Sequence, residues 1–393
     1  MSAILLFNTS FRNRGDALMA QSVLQKLGPS HRWSIAADVM AIGGGQPTKM
    51  TPALVSMLPG NSAKQRLFNQ AVALADSLFA MVPRSVRRGL PLISRREVDL
   101  ALDLSGYCFG DHWGQERVER ATMTYRQLRE AGAKVVLMPR TWGPFTTIDS
   151  RSLNAMFNQI HLAFARDERS LANIGDKLDS GNRAKISFAP DYTHIVQPNA
   201  ARWPIAAGAA MLIPNSRIID SGTMPRGDYL DMFAAARAQL AGAGLEPRLL
   251  VHETANDLAF IAEAGRMGFA ADEVLVPENA IAAKSMIAQA SAVVTSRLHG
   301  LYNALNAAVP VAAVAWSFKY VEALNHYHCA ECLVDLDNSE ASLQRTVDLI
   351  TDPERIPRLK ASMRQGKAEQ MARTDAMWER IVELAGVQPD DQD

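Results

Sequence analysis

The chain has 393 residues, more than one hydrophobic core usually serves, so two domains are expected. Lys plus Arg and Asp plus Glu each number 41, giving zero formal charge and none of the basic excess that a nucleic-acid partner usually leaves. Cys108, Cys329 and Cys332 are too few for a disulfide scaffold, and the single Cys329-x-x-Cys332 lacks the second pair of a zinc site, so a reducing compartment and no metal are expected.

Met1–Phe7 lacks a basic leader and is too short an apolar run for a signal peptide. With no apolar stretch near the roughly 20 residues that cross a bilayer, the reading is a cytoplasmic protein. Short apolar runs then alternate with helical patterns. The first strand, Ile4–Asn8, leads into Asn13-Arg14-Gly15-Asp16 and a helix from Ala17. Gly15 permits a tight turn there, and Asp16 stands where an N-cap or a catalytic carboxylate would stand. Gly43–Gly60 is a Gly-, Pro- and Thr-rich insertion, followed by an amphipathic helix over Ala63–Met81 and a basic run of Arg84, Arg87, Arg88, Arg95 and Arg96. That segment could dock on anionic lipid or a lipid-linked substrate. A helix packed on its own domain with a solvated basic edge is the favoured alternative.

Further strands are expected at Leu100–Ser105, Val135–Pro139, Leu162–Ala165 and Ile186–Ala189. The loop after the first of these, Ser105–Gly114, interleaves three glycines with Tyr107, Phe109, Asp111, His112 and Trp113. It reads either as a cleft lining that holds a sugar ring or as a buried turn. Pro139-Arg140-Thr141-Trp142-Gly143-Pro144 must be a shaped loop. In Ala165–Ser170 the pair Arg166 and Asp167 reads as a lock between strand and helix, and Asp191 as a hinge contact or a base.

A proline-bracketed stretch, Pro198–Pro204, divides this series from a second one. The second has strands at Ala210–Pro214, Arg248–His252, Val274–Val276, Ala292–Thr295 and Val311–Ala315, with helical spacing over Tyr229–Ala243 and Leu258–Gly268. Pro353–Ala385 reads as one or two helices without a partner strand, and Gln388–Asp393 as a frayed acidic end. Alternating elements predict an α/β protein of two Rossmann-like domains facing across a cleft, 1–198 and 205–393, the second carrying the C-terminal helices.

Ligands of open parallel sheets bind beyond the carboxyl ends of the strands. In the second domain Ala292–Thr295 runs into Ser296-Arg297-Leu298-His299-Gly300 and then a helix from Leu301, an arrangement suited to an anion. Arg297 can grip a carboxylate or phosphate and His299 can act as acid or base on the same ligand. Lys319 follows the next strand, and Arg217 and His252-Glu253 follow two others, so the cations converge on what reads as a small, multiply charged anion.

In order along the chain, Asn13-Arg14-Gly15-Asp16, Ser105-Gly106 with Asp111, Pro139–Pro144, Ala165–Ser170, Ala189-Pro190-Asp191, Ser296–Gly300, Pro310 and Ser317-x-Lys319-Tyr320 together resemble the motifs of the polysaccharide pyruvyl transferase family. Three features depart from its pattern: Ser-Gly-Tyr in place of a run of glycines, Arg140 in place of glutamine, and an aromatic loop over Tyr107–Gly114. The resemblance implies a GT-B-like fold and transfer of pyruvyl from phosphoenolpyruvate, as donor co-substrate with no further cofactor, onto two hydroxyls of a sugar as a cyclic ketal. It places Arg297 and His299 at the phosphoenolpyruvate site, with 205–393 on the phosphoenolpyruvate side and 1–198 on the acceptor side. On this reading Arg297, Lys319, Arg217 and His252 bind phosphoenolpyruvate, and His299 is an acid or phosphate contact. Asp16 or Asp111 is the base for the hydroxyl. Asn13, Tyr107, His112, Trp113, Arg140 and Trp142 face an acceptor sugar or oligosaccharide, free or lipid-linked, with peripheral membrane contact as a corollary of the latter. The rival readings are a glycosyltransferase of the same fold using a nucleotide-diphosphate sugar, with Glu278 or Glu322 on the ribose, and a sugar-binding protein without turnover.

Overall fold

The structure, a computed structural model, describes residues 2–11, 13–36, 50–55, 63–87, 90–253 and 257–386, the side chains at 65, 66 and 84 excepted. Most of the stretch 43–60, Arg88 and the acidic end 388–393 lie outside the described residues. The chain divides into two compact units. Unit 1 comprises Met1–Phe11, Met19–Tyr192 and Arg373–Asp393; unit 2 comprises Arg12–Leu18 and Thr193–Ala372. The expected division at 198–204 lies just inside unit 2, and two short segments run against a linear division. Both belong to helices, Arg14–Leu27 and Ile356–Ala385, that continue through a unit boundary.

Unit 1 carries strands β1 (Ala3–Phe7), β2 (Arg32–Ala36), β3 (Thr51–Ala53), β4 (Leu100–Asp103), β5 (Lys134–Arg140), β6 (Leu162–Ala165) and β7 (Ile186–Phe188), paired in parallel in the order β3-β2-β1-β4-β5-β6-β7. Unit 2 carries β8 (Ala209–Ile213), β9 (Glu246–Leu250), β10 (Val274–Leu275), β11 (Ala292–Thr295), β12 (Val311–Val314) and β13 (Leu333–Val334), in the order β10-β9-β8-β11-β12-β13. Each unit is therefore Rossmann-like. In each, the chain order reverses beside the first strand, at β1/β4 and at β8/β11.

The central strands are apolar on both faces because helices cover both faces. Ala209–Ile213, Ala292–Thr295 and Val311–Val314 are buried throughout, each large aliphatic side chain contributing about 1.5–3 kcal/mol of burial. Three strands escape the sequence pattern. In β2 the fully buried Ser34 interrupts the apolar run, its hydroxyl donating to the Ile4 carbonyl at 3.0 Å. Pro52 sits in the edge strand β3, and β13 is two residues long. The segment expected as helix over Leu258–Gly268 is helical only at Ala259–Glu263, and the C-terminal segment is one 30-residue helix, Ile356–Ala385. Among the described residues no helix is long and apolar enough to cross a membrane.

Candidate active site

The unit 2 motifs gather at the carboxyl ends of β8, β9, β11 and β12, around the β8/β11 reversal. One carbonyl ties three of these ends together. Ser296 O accepts from Asn215 Nδ2 at 3.0 Å and Trp316 Nε1 at 3.2 Å, and also from the Tyr320 hydroxyl. The Ser296 hydroxyl meets Tyr229 Oη at 2.6 Å, and that phenolic oxygen accepts from the Asn215 amide at 2.7 Å. Trp316 and Tyr320 of the Ser317-x-Lys319-Tyr320 region thus fix the Arg297 segment from the neighbouring strand.

The helix expected from Leu301 begins at Leu298, so His299 and Gly300 lie in its first turn and not in a preceding loop. Arg297 occupies the N-cap position but makes no side-chain cap, and Ser317 does the same for the helix Phe318–His326 that follows β12. Because β11 and β12 are paired in parallel, these two helix starts stand at neighbouring strand ends. Asp149, Asp167, Asp179 and Asn279 cap their helices with side-chain oxygens, while Gly114, Pro225 and Asn338 also leave theirs uncapped, so it is the neighbouring placement of the Arg297 and Ser317 starts that sets them apart. Ser216 Oγ, Ser317 Oγ and His252 Nε2 are buried with no hydrogen-bond partner among the described residues. Two uncapped helix N-termini beside such polar atoms favour an anion.

The same helix shift holds at the first motif. The helix expected from Ala17 begins at Arg14, and Asn13, not Asp16, is its cap. Asn13 Oδ1 accepts from the amides of Gly15 at 2.9 Å and Asp16 at 3.4 Å, leaving Asp16 as a half-buried third helical residue. Gly15 is needed for a reason other than a tight turn: a Cβ built there would overlap the imidazole of His299. Gly300 is constrained likewise, since its Cβ would approach Thr295 Oγ1 to 2.7 Å.

Charges in this cluster correct the expected cationic pocket. Arg297 Nε donates to Asp257 Oδ2 at 2.7 Å, its Nη2 pairs with the same carboxylate, and its Nη1 lies 2.5 Å from Glu253 Oε2. Burial alone would lower the Arg297 pKa; Asp257 and Glu253 outweigh it and raise it. Arg14, also buried, donates to Val251 O at 2.7 Å and to Pro277 O. Burial lowers its pKa to about 10, opposed by Asp257 and Glu253, so it stays charged. Two guanidiniums thus face two carboxylates. His252, expected as a cationic contact, is buried, and burial together with Arg14, Arg297 and His299 pushes its pKa well below the usual 6.5, so it is a neutral imidazole. Arg217 is exposed in the short helix after β8, and Lys319 is half-buried in the first turn after β12. Arg14 and Asp257 are not among the residues expected at this site from the sequence. Arg14 sits inside the quoted Asn-Arg-Gly-Asp motif, and Asp257 is an acid shortly after a strand end, the pattern that singled out Glu253.

In unit 1 the loop after β4 brings Tyr107, His112 and Trp113 together. Trp113 meets Tyr107 edge-on at 6.1 Å and His112 at 5.3 Å, and His112 and Trp113 are exposed. Burial, then Asp111, raises the Tyr107 pKa, and its hydroxyl donates to Gly143 O at 3.3 Å. Two expected acceptor contacts are not available to a ligand. Arg140 is fully buried, pairing with Asp103 at 2.8 Å and donating to Ser105 Oγ at 2.7 Å and Met138 O at 3.1 Å. Trp142 is fully buried, stacked on Phe109 at 5.4 Å, with its indole N–H on Phe164 O at 3.1 Å. Arg140 terminates a strand whose neighbour β4 ends in a buried acid, and the ion pair draws it inward. The expected Arg166–Asp167 lock takes a different form: Asp167 caps the next helix through Ser170 N at 2.7 Å, while Arg166 reaches Thr141 Oγ1 at 2.9 Å.

Asp111 is a poor base. Its carboxylate accepts from the Thr146 and Thr147 amides at 2.9 Å and from their hydroxyls at 2.7 and 2.8 Å. Desolvation would raise its pKa, but these donors, Thr147 N–H first, hold it far below the usual carboxylate range. The expected effect of Asp111→Asn is therefore a melting temperature lower by a few degrees with an unchanged acidic limb in the pH–rate profile. A shift of that limb would restore Asp111 as the base.

Solved structures similar in fold include the S. aureus MnaA–UDP co-structure (TM-score 0.57, 9% identity, 100% of this chain and 99% of that chain). The UDP-GlcNAc 2-epimerase of Neisseria meningitidis bound to UDP-GlcNAc is another (0.56, 12%, 98% and 100%), as is that of Methanocaldococcus jannaschii (0.53, 10%, 90% and 94%). At such identities they establish the GT-B-like fold alone. No curated protein is significantly similar in sequence. The family model described as polysaccharide pyruvyl transferase matches residues 86–317, which hold the aromatic loop, the Arg297–Gly300 helix start and Ser317, and by that match the chain belongs to the polysaccharide pyruvyl transferase family.

Proposed function

We propose that the protein transfers the pyruvyl group of phosphoenolpyruvate onto two hydroxyls of a sugar, forming a cyclic ketal and releasing phosphate. The observation that carries this reading is the pair of uncapped helix N-termini after β11 and β12, with Lys319 in the second and the buried Ser317 hydroxyl beside it. Phosphoenolpyruvate presents a carboxylate and a phosphate, and two adjacent anion sites suit it. Lys319, Arg217 and the helix N–H groups meet the anion. Arg297, already paired twice, fixes the start of the His299 helix. In the reaction a proton adds to C3, making it a methyl group and C2 oxocarbenium-like. One sugar hydroxyl adds to C2 and loses its proton, the C2–O bond to phosphate breaks, and the second hydroxyl closes the ring with loss of its own proton. His299 delivers the first proton or holds the leaving phosphate, and Asp16 accepts a hydroxyl proton. These are proton transfers and an addition–elimination, which side chains can carry with no cofactor beyond the donor. The aromatic group of Tyr107, His112 and Trp113 holds the sugar acceptor.

A nucleotide-diphosphate sugar is the competing donor, favoured by the UDP in two of the structures similar in fold. Calorimetric titration separates them. Phosphoenolpyruvate is expected to bind saturably, with affinity reduced about tenfold or more in Lys319→Met through loss of a charge-assisted contact, while UDP-sugars give no heat. Binding of a UDP-sugar alone would transfer the reading to a glycosyltransferase.

A further inference from the structure

The helix Ala63–Met81 carries apolar side chains on both faces: Phe68, Val72 and Phe79 are half-buried on the side of the buried Asp76, and large aliphatic side chains stand on the other side as well. The face turned inward carries its one acid, Asp76, which is buried and pairs with Arg95 Nε at 2.8 Å while accepting from the Arg95 amide at 3.0 Å. Arg95 continues to Gln127 Oε1 at 3.0 Å, and Arg87, buried beside Glu97, donates to Ala80 O at 2.7 Å. These polar ties pin the helix and fix its orientation. The opposite face carries Leu67, Leu74, Leu78 and Met81, which are 67%, 62%, 58% and 80% exposed. Their spacing of seven, four and three residues places them in one stripe, and Val86 and Leu90 in the segment that follows are exposed too. A stripe of large aliphatic side chains held outward by a buried ion pair is a surface in need of a partner.

Charge selects the partner. Between Ala63 and Glu97 the sequence carries seven Lys and Arg against two acids, Asp76 and Glu97, in a chain of zero net charge. Both acids face inward in ion pairs with Arg95 and Arg87, and Lys64 and Arg96 are exposed. A second copy of the chain would bring two such basic regions together and meet repulsion, whereas an anionic bilayer offers acyl chains for the leucines and headgroups for the cations. We infer that Ala63–Met81, with the basic segment that follows it, docks unit 1 on an anionic lipid surface as an interfacial helix.

Sedimentation with vesicles tests this on the full chain. The protein is expected to pellet with vesicles of phosphatidylcholine containing about one third phosphatidylglycerol, to pellet far less with phosphatidylcholine alone, and to be released by salt. Leu74→Gln/Leu78→Gln, two exposed positions, should lower the partition coefficient about tenfold or more with an unchanged melting temperature. Lys64→Glu/Arg96→Glu should remove the preference for anionic vesicles. The proposal is overturned if the wild type does not pellet with anionic vesicles, or if the leucine variant pellets equally well. It is overturned too if the wild type is a dimer by light scattering and the leucine variant a monomer, since the face is then an interface between copies.

Discussion

Gly15→Ala is expected to lower transfer activity about 100-fold while leaving the fold intact, the cost of displacing a reacting group by about an ångström. In an ordinary helix the same substitution stabilises by about 1 kcal/mol, because alanine loses less backbone freedom on folding. Position 15 is the second residue of the helix Arg14–Leu27, and its amide is already satisfied by Asn13 Oδ1, so nothing in the backbone requires glycine. The requirement comes from His299, whose ring fills the volume a methyl group would take. The methyl group therefore pushes the imidazole out of register with the helix start that fixes it. A double-mutant cycle isolates the effect. Gly15→Ala should fail to stabilise the wild type, yet stabilise the His299→Ala protein by about 1 kcal/mol, since the clash is then gone. Full transfer activity in Gly15→Ala, with the stability gain of an unconstrained helical glycine in both backgrounds, would show that the two residues do not share this space.

The way these two residues meet also marks how far the sequence could be read. The alternation of apolar runs with helical spacing located β6 and β11 to the residue, and with them the strand ends where chemistry belongs. At both key motifs the helix begins three residues before the expected start. Asn-Arg-Gly-Asp looks like a turn because of its glycine, and Arg-Leu-His-Gly because of its cation and glycine, yet Gly15 and Gly300 are small for packing and not for backbone freedom. Periodicity cannot register that distinction, because it depends on contacts the fold makes: with His299, from the far end of the chain, at Gly15, and with Thr295 at the end of β11 at Gly300. The charge balance was hidden for the same reason. Arg297 and His252 read as free cations until Glu253, Asp257 and Arg14 stand around them, one neutralising by pairing and the other by burial. Arg140 could have been assigned correctly from the sequence. Asp103 is a lone acid inside Leu100-Ala101-Leu102-Asp103-Leu104, and an acid in a doubly buried strand requires a buried cation on a neighbour.

That ion pair carries the largest expected effect on stability. Arg140 and Asp103 are both fully buried, and the carboxylate also accepts from Tyr125 Oη at 2.6 Å, the Ser105 amide at 3.0 Å and Asn8 Nδ2 at 3.1 Å. Removing the guanidinium leaves a charge in the core with hydrogen bonds but without its counter-ion. Arg140→Met is therefore expected to cost about 3–5 kcal/mol, a fall in melting temperature on the order of 10 °C for a unit of this size. Asp103→Asn in the same protein should recover part of the loss, because the amide oxygen can still accept from Tyr125. The pH dependence has a definite sign. In the wild type burial would raise the Asp103 pKa, but Arg140 and the Tyr125 and Ser105 hydrogen bonds hold it below the usual 3.8. Its contribution is thus present above that value and is lost as pH falls through the folded-state pKa. Without Arg140 the folded-state pKa rises, so the variant binds a proton more readily than the wild type does. The stability gap between the two should accordingly be widest near neutral pH and narrow as the solution is acidified. Chemical denaturation of both proteins across that range measures it. A gap that stays constant with pH would mean that Asp103 remains as strongly ionised without Arg140 as with it, and that the hydrogen-bond donors around the carboxylate, not the guanidinium, hold its charge in the core.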